Sequence, residues 1–248
     1  TLVNLPHFGQ IIETFEAKIL LYAASGFGKT TMLGTMPGPR YLVNFDRENR
    51  LPLEINKVDV EYDDIIARPD IVGYEELLKK ILMLKERFKQ GNGPKTICID
   101  TGRDMYRVCM YYILKTQGKE MPTQPDWGLA HERFLQRLND FLDMPCHLLV
   151  NFHEMMDKDD ITGRILGTIN LPGKDMPNEV MKKFNIKLHG VMEPGSKPGE
   201  WKRVIHTANT SMFAADDKSG ALSFAEEPDL GKMLAKIQAK LNTTKGVK

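Results

Sequence analysis

Cysteine is scarce in this chain of 248 residues: Cys98, Cys109 and Cys146 are all it has. They lie far apart and form no Cys-x-x-Cys pair, which argues against a disulfide framework or a zinc site. Reduced core thiols of a cytosolic protein are the expectation. An excess of one charge sign is also missing. Thirty-four Lys and Arg face 33 Asp and Glu, a formal net charge of +1. No global basic field exists, so any nucleic-acid contact must come from local patches. No apolar run approaches the ~20 residues that cross a bilayer. The first residues show no charged-then-apolar signal pattern. A cytoplasmic protein without membrane contact is therefore expected. Internal repeats and low-complexity tracts are absent too. A hydrophobic content of 42% is ample for one α/β domain and tight for two. Residues 1–248 thus read as a single domain, with its core at about 16–210 and a last helix and basic tail at about 229–248.

One glycine is missing where a motif expects it. Residues 23–30 read Ala-Ala-Ser-Gly-Phe-Gly-Lys-Thr, a phosphate-binding loop of the form Gly-x-x-x-x-Gly-Lys-Ser/Thr with Ala23 at the first position. The chemistry lies mostly in the second half. Backbone N–H groups surround phosphate oxygens, Lys29 reaches the β- and γ-phosphates, and the Thr30 hydroxyl ligates Mg²⁺. Ala23 is tolerated if its backbone does not need positive φ. A β-prone run at 18–22 precedes the loop, and 30–34 can continue as a helix until Pro37 ends it. Ser25, Gly26, Phe27, Gly28, Lys29, Thr30 and Thr31 are the candidate nucleotide-binding residues.

Apolar runs at 19–23, 41–45, 96–99 and 147–152 have the form of core strands covered on both faces. Between them, 74–90 shows a helical apolar face of Tyr74, Leu77, Leu78, Ile81 and Leu82, stopped by Gly91-Asn-Gly93. A second helix over 128–143 presents Phe134, Leu135, Leu138, Phe141 and Leu142. Alternating strand and helix predicts an α/β fold with a mainly parallel twisted sheet flanked by helices. Beyond about residue 155 the character changes. Residues 157–174 are polar, 187–192 and 203–208 predict an antiparallel hairpin around a Pro- and Gly-containing loop, and 229–241 predicts a last amphipathic helix. From Lys232 onward there are five lysines and no acid, the pattern of a solvated helix face and tail.

Three strand ends carry polar groups. The run 95–101 ends in Asp100-Thr101, the form of a Walker B element, in which an Asp at the carboxyl end of a core strand holds Mg²⁺ beside the phosphate loop. Thr30 and Asp100 are therefore the candidate metal residues. The run 41–49 ends in Asp46-Arg47-Glu48. Hydrolysis needs a carboxylate that orients the attacking water. With Asp100 engaged at the metal, Glu48 is the candidate catalytic residue and Asp46 the alternative, while Arg47 could contact a neighbouring subunit. The strand over 147–152 leads into His153-Glu154. His153 either senses the γ-phosphate and orders the following segment or caps a strand-to-loop turn.

The order of these elements resembles the RecA-like branch of P-loop ATPases. In that branch a catalytic Glu follows the strand after the phosphate loop, and a polar sensor ends the strand after Walker B, where Asn151 and His153 stand. More closely, the chain resembles phage-encoded, single-domain RecA-like ATP-binding proteins that include single-strand annealing recombinases. Ile99-Asp100-Thr101, His153-Glu154, Leu171-Pro-Gly173 and Phe184-Asn185 carry that likeness, over roughly 16–210. It departs from the pattern at Ala23 and in having His in place of RecA's Gln sensor. The resemblance implies a RecA-like domain, ATP and Mg²⁺ as ligands, Glu48, Lys29 and His153 as catalytic residues, and a ring or filament of identical subunits. It also implies single-stranded DNA on two segments, 115–127 and 157–174, with Lys115, Lys119, Lys158, Arg164, Lys174 and Trp127 as contacts. Asp157, Asp159 and Asp160 oppose phosphate binding there. Single-strand binding protein is a further expected partner, and a phage protein would work in the host cytoplasm. Two other readings fit the residues: a nucleotide-driven switch or assembly factor binding replication proteins without touching DNA, and a small-molecule kinase, for which no arginine-rich lid is evident.

Overall fold

The computed structural model describes residues 15–45, 51–158 and 165–245. Among the described residues, six strands lie parallel to one another: β1 (Lys18–Ala23), β2 (Arg40–Asn44), β3 (Glu61–Asp64), β4 (Thr96–Asp100), β5 (His147–Lys158) and β7 (Ile186–Pro194). β6 (Ile165–Ile169) folds back antiparallel on the distal half of β5, and β8 (Trp201–His206) is antiparallel to β7. Two short strands, β9 (Asp216–Asp217) and β10 (Ala225–Glu226), extend the antiparallel end. The path across the sheet is β10-β8-β7-β1-β5-β4-β2-β3. The strand that feeds the phosphate loop is thus separated from β4 by β5. This is the expected fold class: a mainly parallel sheet with an antiparallel end.

Period-two alternation decides what each strand offers to each face. Leu20, Tyr22, Val43, Ile97, Ile99, Leu148, Val150 and Phe152 pack into one apolar layer. That layer is covered by α3 (Val72–Lys89), α4 (Gly102–Thr116), α5 (Gln124–Leu142) and α6 (Met176–Lys182). Ile19, Leu21, Ala23, Leu42, Cys98 and Leu149 pack into the other, with residues of α1 (Lys29–Met32), α2 (Leu51–Ile55) and α7 (Leu230–Lys245). The same alternation carries Asp100 onto the Cys98 face, and Asn151 and His153 onto the Leu149 face. Register sets their level: Ala23 pairs with His153, Asp100 with Asn151, and Asn44 with Asp100. The polar strand ends therefore converge beside α1, at the carboxyl edge where open α/β sheets bind ligands.

Local chemistry explains the element ends. α3 stops where predicted: Gly91 takes φ 74, and the N–H groups of Gly91 and Asn92 donate to the carbonyls of Phe88 and Arg87, a Schellman closure. Leu82 corrects the predicted face. It is 66% exposed, and Leu84 is buried in its place, because a stripe at 74, 77, 81 and 84 keeps the 3.6-residue period. α4 was not anticipated. Thr101 opens it, its hydroxyl accepting from the Asp104 N–H at 3.3 Å. Residues 115–127 are accordingly not a loop. They are the end of α4, a short connection and the first turn of α5, where the Asp126 carboxylate accepts from the Thr123 N–H at 2.8 Å as a capping box does. Residues 157–174 are corrected likewise: β5 runs on to Lys158, and Ile165–Ile169 forms β6. The three cysteines are buried and unpaired, as expected. No helix among the described residues is long and apolar enough to cross a membrane.

Candidate functional site

The loop between β1 and α1 forms a cradle. Gly26 and Gly28 take φ 78 and 99, conformations open to glycine at no steric cost. Ala23 is different: it is the last residue of β1, fully buried and paired on both sides. Lys57 is the one non-glycine residue with positive φ among those described, so Ala at position 23 meets no backbone strain. The predicted helix over 30–34 is shortened. α1 is a single turn, followed by a 3₁₀ turn at Leu33–Thr35. So short a helix carries little macrodipole, which leaves the loop N–H groups and Lys29 as the anion-binding elements.

Lys29 is 6% exposed. Its Nζ donates to the carbonyl oxygens of Ala23 and Ala24 at 3.1 and 2.9 Å and lies 3.5 Å from His153 Nδ1. Burial pulls its pKa down, against the charges of Asp100 and Glu154, which raise it. A cation held at this desolvation cost over positive-φ glycines fits the phosphate chain of a nucleotide. The Thr30 hydroxyl donates to Asp100 Oδ2 at 2.5 Å, which brings together the two residues expected at Mg²⁺. Beneath them Asn151 is fully buried, and its Oδ1 has no hydrogen-bond partner among the described residues. Two oxygen donors with a third buried acceptor match the preference of a hard divalent cation. Ser25, Gly26, Gly28, Lys29, Thr30, Thr31, Asp100 and His153 line one cavity of about 260 Å³ together with Pro52 and Arg203.

Phe27 is placed differently from its loop neighbours. Its side chain is buried under the loop against Gly190. A Cβ at Gly190 would lie 2.5 Å from the Phe27 ring, so that glycine is required for the close approach. Asp46, Arg47 and Glu48 lie outside the described residues. Phe45 before them and Pro52 after them are described, and Pro52 lines the phosphate-loop cavity. Glu154 points to the other side of the loop, where it bonds His189 at 2.8 Å. His189 is stacked on Phe213 at 3.7 Å, and burial lowers its pKa.

A second, larger cavity of about 560 Å³ opens beyond β5, between α4, the first turn of α5 and the 170–174 segment. Arg103, Arg107 and Lys174 supply positive charge, and Tyr106, Tyr111 and Trp127 supply aromatic surface. Of the residues expected to meet DNA, Lys174 and Trp127 line it and Lys115 and Lys158 do not. Lys119 is bound to the buried carboxylate of Asp126 at 2.9 Å. Asp159, Asp160 and Arg164 lie outside the described residues. Arg103 and Arg107 were missed because α4 was missed. Their i, i+4 spacing behind a Thr-x-x-Asp start was the available signal. Arg203 was also missed, and nothing local marks it.

The sequence model of the family described as AAA domain matches residues 16–219, most of the chain. No curated protein matches. Among solved structures, the chain is similar to one described as a prototypical ATPase from the type III secretion system of pathogenic bacteria. The identity is 14% and the TM-score 0.46, over 70% of this chain and 51% of that one. This chain thus spans about half the length of that structure.

Proposed function

The chain belongs to the AAA domain family, and on that premise we propose that it is a RecA-like protein that binds and hydrolyses Mg-ATP at Lys29 and couples this to single-stranded DNA, in phage recombination or strand annealing. One observation carries the coupling. β5 is a single 12-residue strand that serves both cavities. Its His153 lies beside Lys29, while its Met155 and Asp157 line the basic aromatic cavity. The carbonyl of the same His153 accepts from the N–H of Asn170, another lining residue. A shift of His153 on nucleotide binding would move the wall of the second cavity with it.

In this reading Mg-ATP, when bound, supplies the transferable phosphoryl group and the cation that neutralises it. Lys29 leaves the carbonyls of Ala23 and Ala24 to hold the phosphate chain. Thr30 and Asp100 hold the cation, and Asn151 orders its surroundings. Glu48 orients the attacking water and takes its proton. His153 reads the occupied state. Arg103, Arg107 and Lys174 neutralise DNA phosphates, and Trp127 offers a face for base stacking. A ring or filament, with Arg47 reaching a neighbouring subunit, and a contact with single-strand binding protein complete the reading.

Fluorescence anisotropy of a labelled oligo(dT), titrated with salt, tests it. ATP should tighten binding, and log K should fall with log salt at a slope of roughly −2 for three neutralised phosphates. Arg103→Ala with Arg107→Ala should flatten that slope. Absence of DNA affinity with and without ATP would overturn the DNA assignment and leave a nucleotide-driven factor that binds proteins.

A further inference from the structure

Arg203 comes from β8, across the antiparallel end of the sheet, yet it lines the phosphate-loop cavity with Lys29 and Asp100. Its Nε lies 3.7 Å from the point a Cβ on Gly28 would occupy. It makes no hydrogen bond or ion pair with any described residue, whereas Glu193 pairs with His206 and Lys187 with Asp216. Among the described residues the cavity is lined by two basic side chains, Lys29 and Arg203, and one carboxylate, Asp100, which the Thr30 hydroxyl already engages. Like charges around one small cavity repel unless a polyanion lies between them.

The same arginine borders a second, smaller cavity. It measures about 150 Å³ and is walled by Phe27, Gly28, Thr31, Met32, Thr35 and Pro228 as well as Arg203. Phe27, Met32 and Pro228 supply its apolar surface. The Thr35 hydroxyl already donates to the Met32 carbonyl and accepts from the Leu230 N–H. An apolar slot beside a planar guanidinium suits a stacked heteroaromatic ring.

We infer that Arg203 and this slot are the outer half of the nucleotide site: the guanidinium binds the phosphate chain over Gly28, and the nucleobase lies in the slot against Phe27, Met32 and Pro228. The inference rests on the phosphate-loop reading above. With the Thr35 hydroxyl engaged, the exposed Thr31 hydroxyl is the one side-chain hydroxyl of the slot left for the base edge, so the base is held mainly by stacking and packing, and purine identity is weakly read.

Isothermal titration with Mg-ATP, Mg-GTP and magnesium tripolyphosphate tests this without reference to turnover. Arg203→Ala, an exposed substitution checked by circular dichroism, should weaken ATP and tripolyphosphate alike by about tenfold or more, as loss of a charged hydrogen bond does. Arg203→Lys should recover part of that. Wild type should bind ATP and GTP within about threefold of each other and both at least about tenfold tighter than tripolyphosphate. Equal affinity for ATP and tripolyphosphate overturns the base slot. An Arg203→Ala protein that binds ATP within about twofold of wild type overturns the phosphate contact. If wild type binds while Lys29→Ala does not, such a failure belongs to this inference alone. If wild type binds none of the three, the phosphate-loop reading itself has failed.

Discussion

Lys29 spends its hydrogen bonds on two loop carbonyls, Ala23 and Ala24, while buried beside Asp100. Those partners are weak compensation for a desolvated ammonium, and a phosphate chain is a stronger one. Lys29→Ala should abolish Mg-ATP hydrolysis, read as phosphate release, and weaken nucleotide binding at least about tenfold, the loss of a charged partner. Glu48→Gln should keep nucleotide affinity and lose turnover, because amide replaces carboxylate without changing size. Hydrolysis at the wild-type rate would remove Glu48 from the catalytic role. At this scale the sequence was most legible. Gly28-Lys29-Thr30 and Asp100 are short motifs whose chemistry fixes their neighbours, and the Thr30–Asp100 contact at 2.5 Å joins them. Arg203 was illegible, because its place over Gly28 depends on β7 pairing with β1 and on the hairpin register, and neither leaves a mark near Arg203 itself.

Elements show a different balance. Strands with continuous apolar runs were legible, since burial on both faces leaves no other composition. α4 was missed although its buried Met105, Tyr106, Cys109, Met110 and Ile113 keep helical spacing. β3 was not legible, because Glu61-Tyr-Asp-Asp64 is an acidic edge strand held by pairing to β2 and by ion pairs such as Lys80–Asp63 and Arg87–Glu61. Charge at an edge guards against further pairing. Phe134 on α5 is fully buried in the layer shared with α4. Phe134→Ala should cost about 3–5 kcal/mol in urea unfolding. The amino end of β5 gives a pH prediction. His147 Nδ1 accepts from the Ala17 N–H at 3.0 Å, which requires an unprotonated Nδ1. Burial, and then the charge of Lys18, lower its pKa from 6.5. The unfolded chain therefore binds this proton more tightly than the folded one. Stability is full above about pH 6.5 and falls as pH drops below it. The Tm should decline between about pH 7 and 5, and His147→Gln should flatten part of that decline, with buried His189 supplying the rest. An unchanged decline would contradict the assignment.

The whole molecule brings distant pieces of chain to one edge. β1, β5, β4 and β2 lie side by side, so that Leu21, Asn151, Asp100 and Asn44 stand at one level, with Ala23 and His153 two residues beyond, although the chain visits them in a different order. The parallel class was legible from alternating strands and helices. The extension of β5 beyond the sheet was not, because Asp157-Lys158 reads as the start of a polar segment until β6 pairs with it. That extension places a basic aromatic cavity within one strand's reach of Lys29, and the proposed function requires the two to be coupled. Coupling is read in the steady-state ATPase rate with and without single-stranded DNA, in wild type and in the Arg103→Ala, Arg107→Ala double variant. DNA should stimulate the wild-type rate several-fold, and the double variant should keep its basal rate and lose the stimulation. A wild-type rate that is measurable, abolished by Lys29→Ala and indifferent to DNA would contradict the coupling.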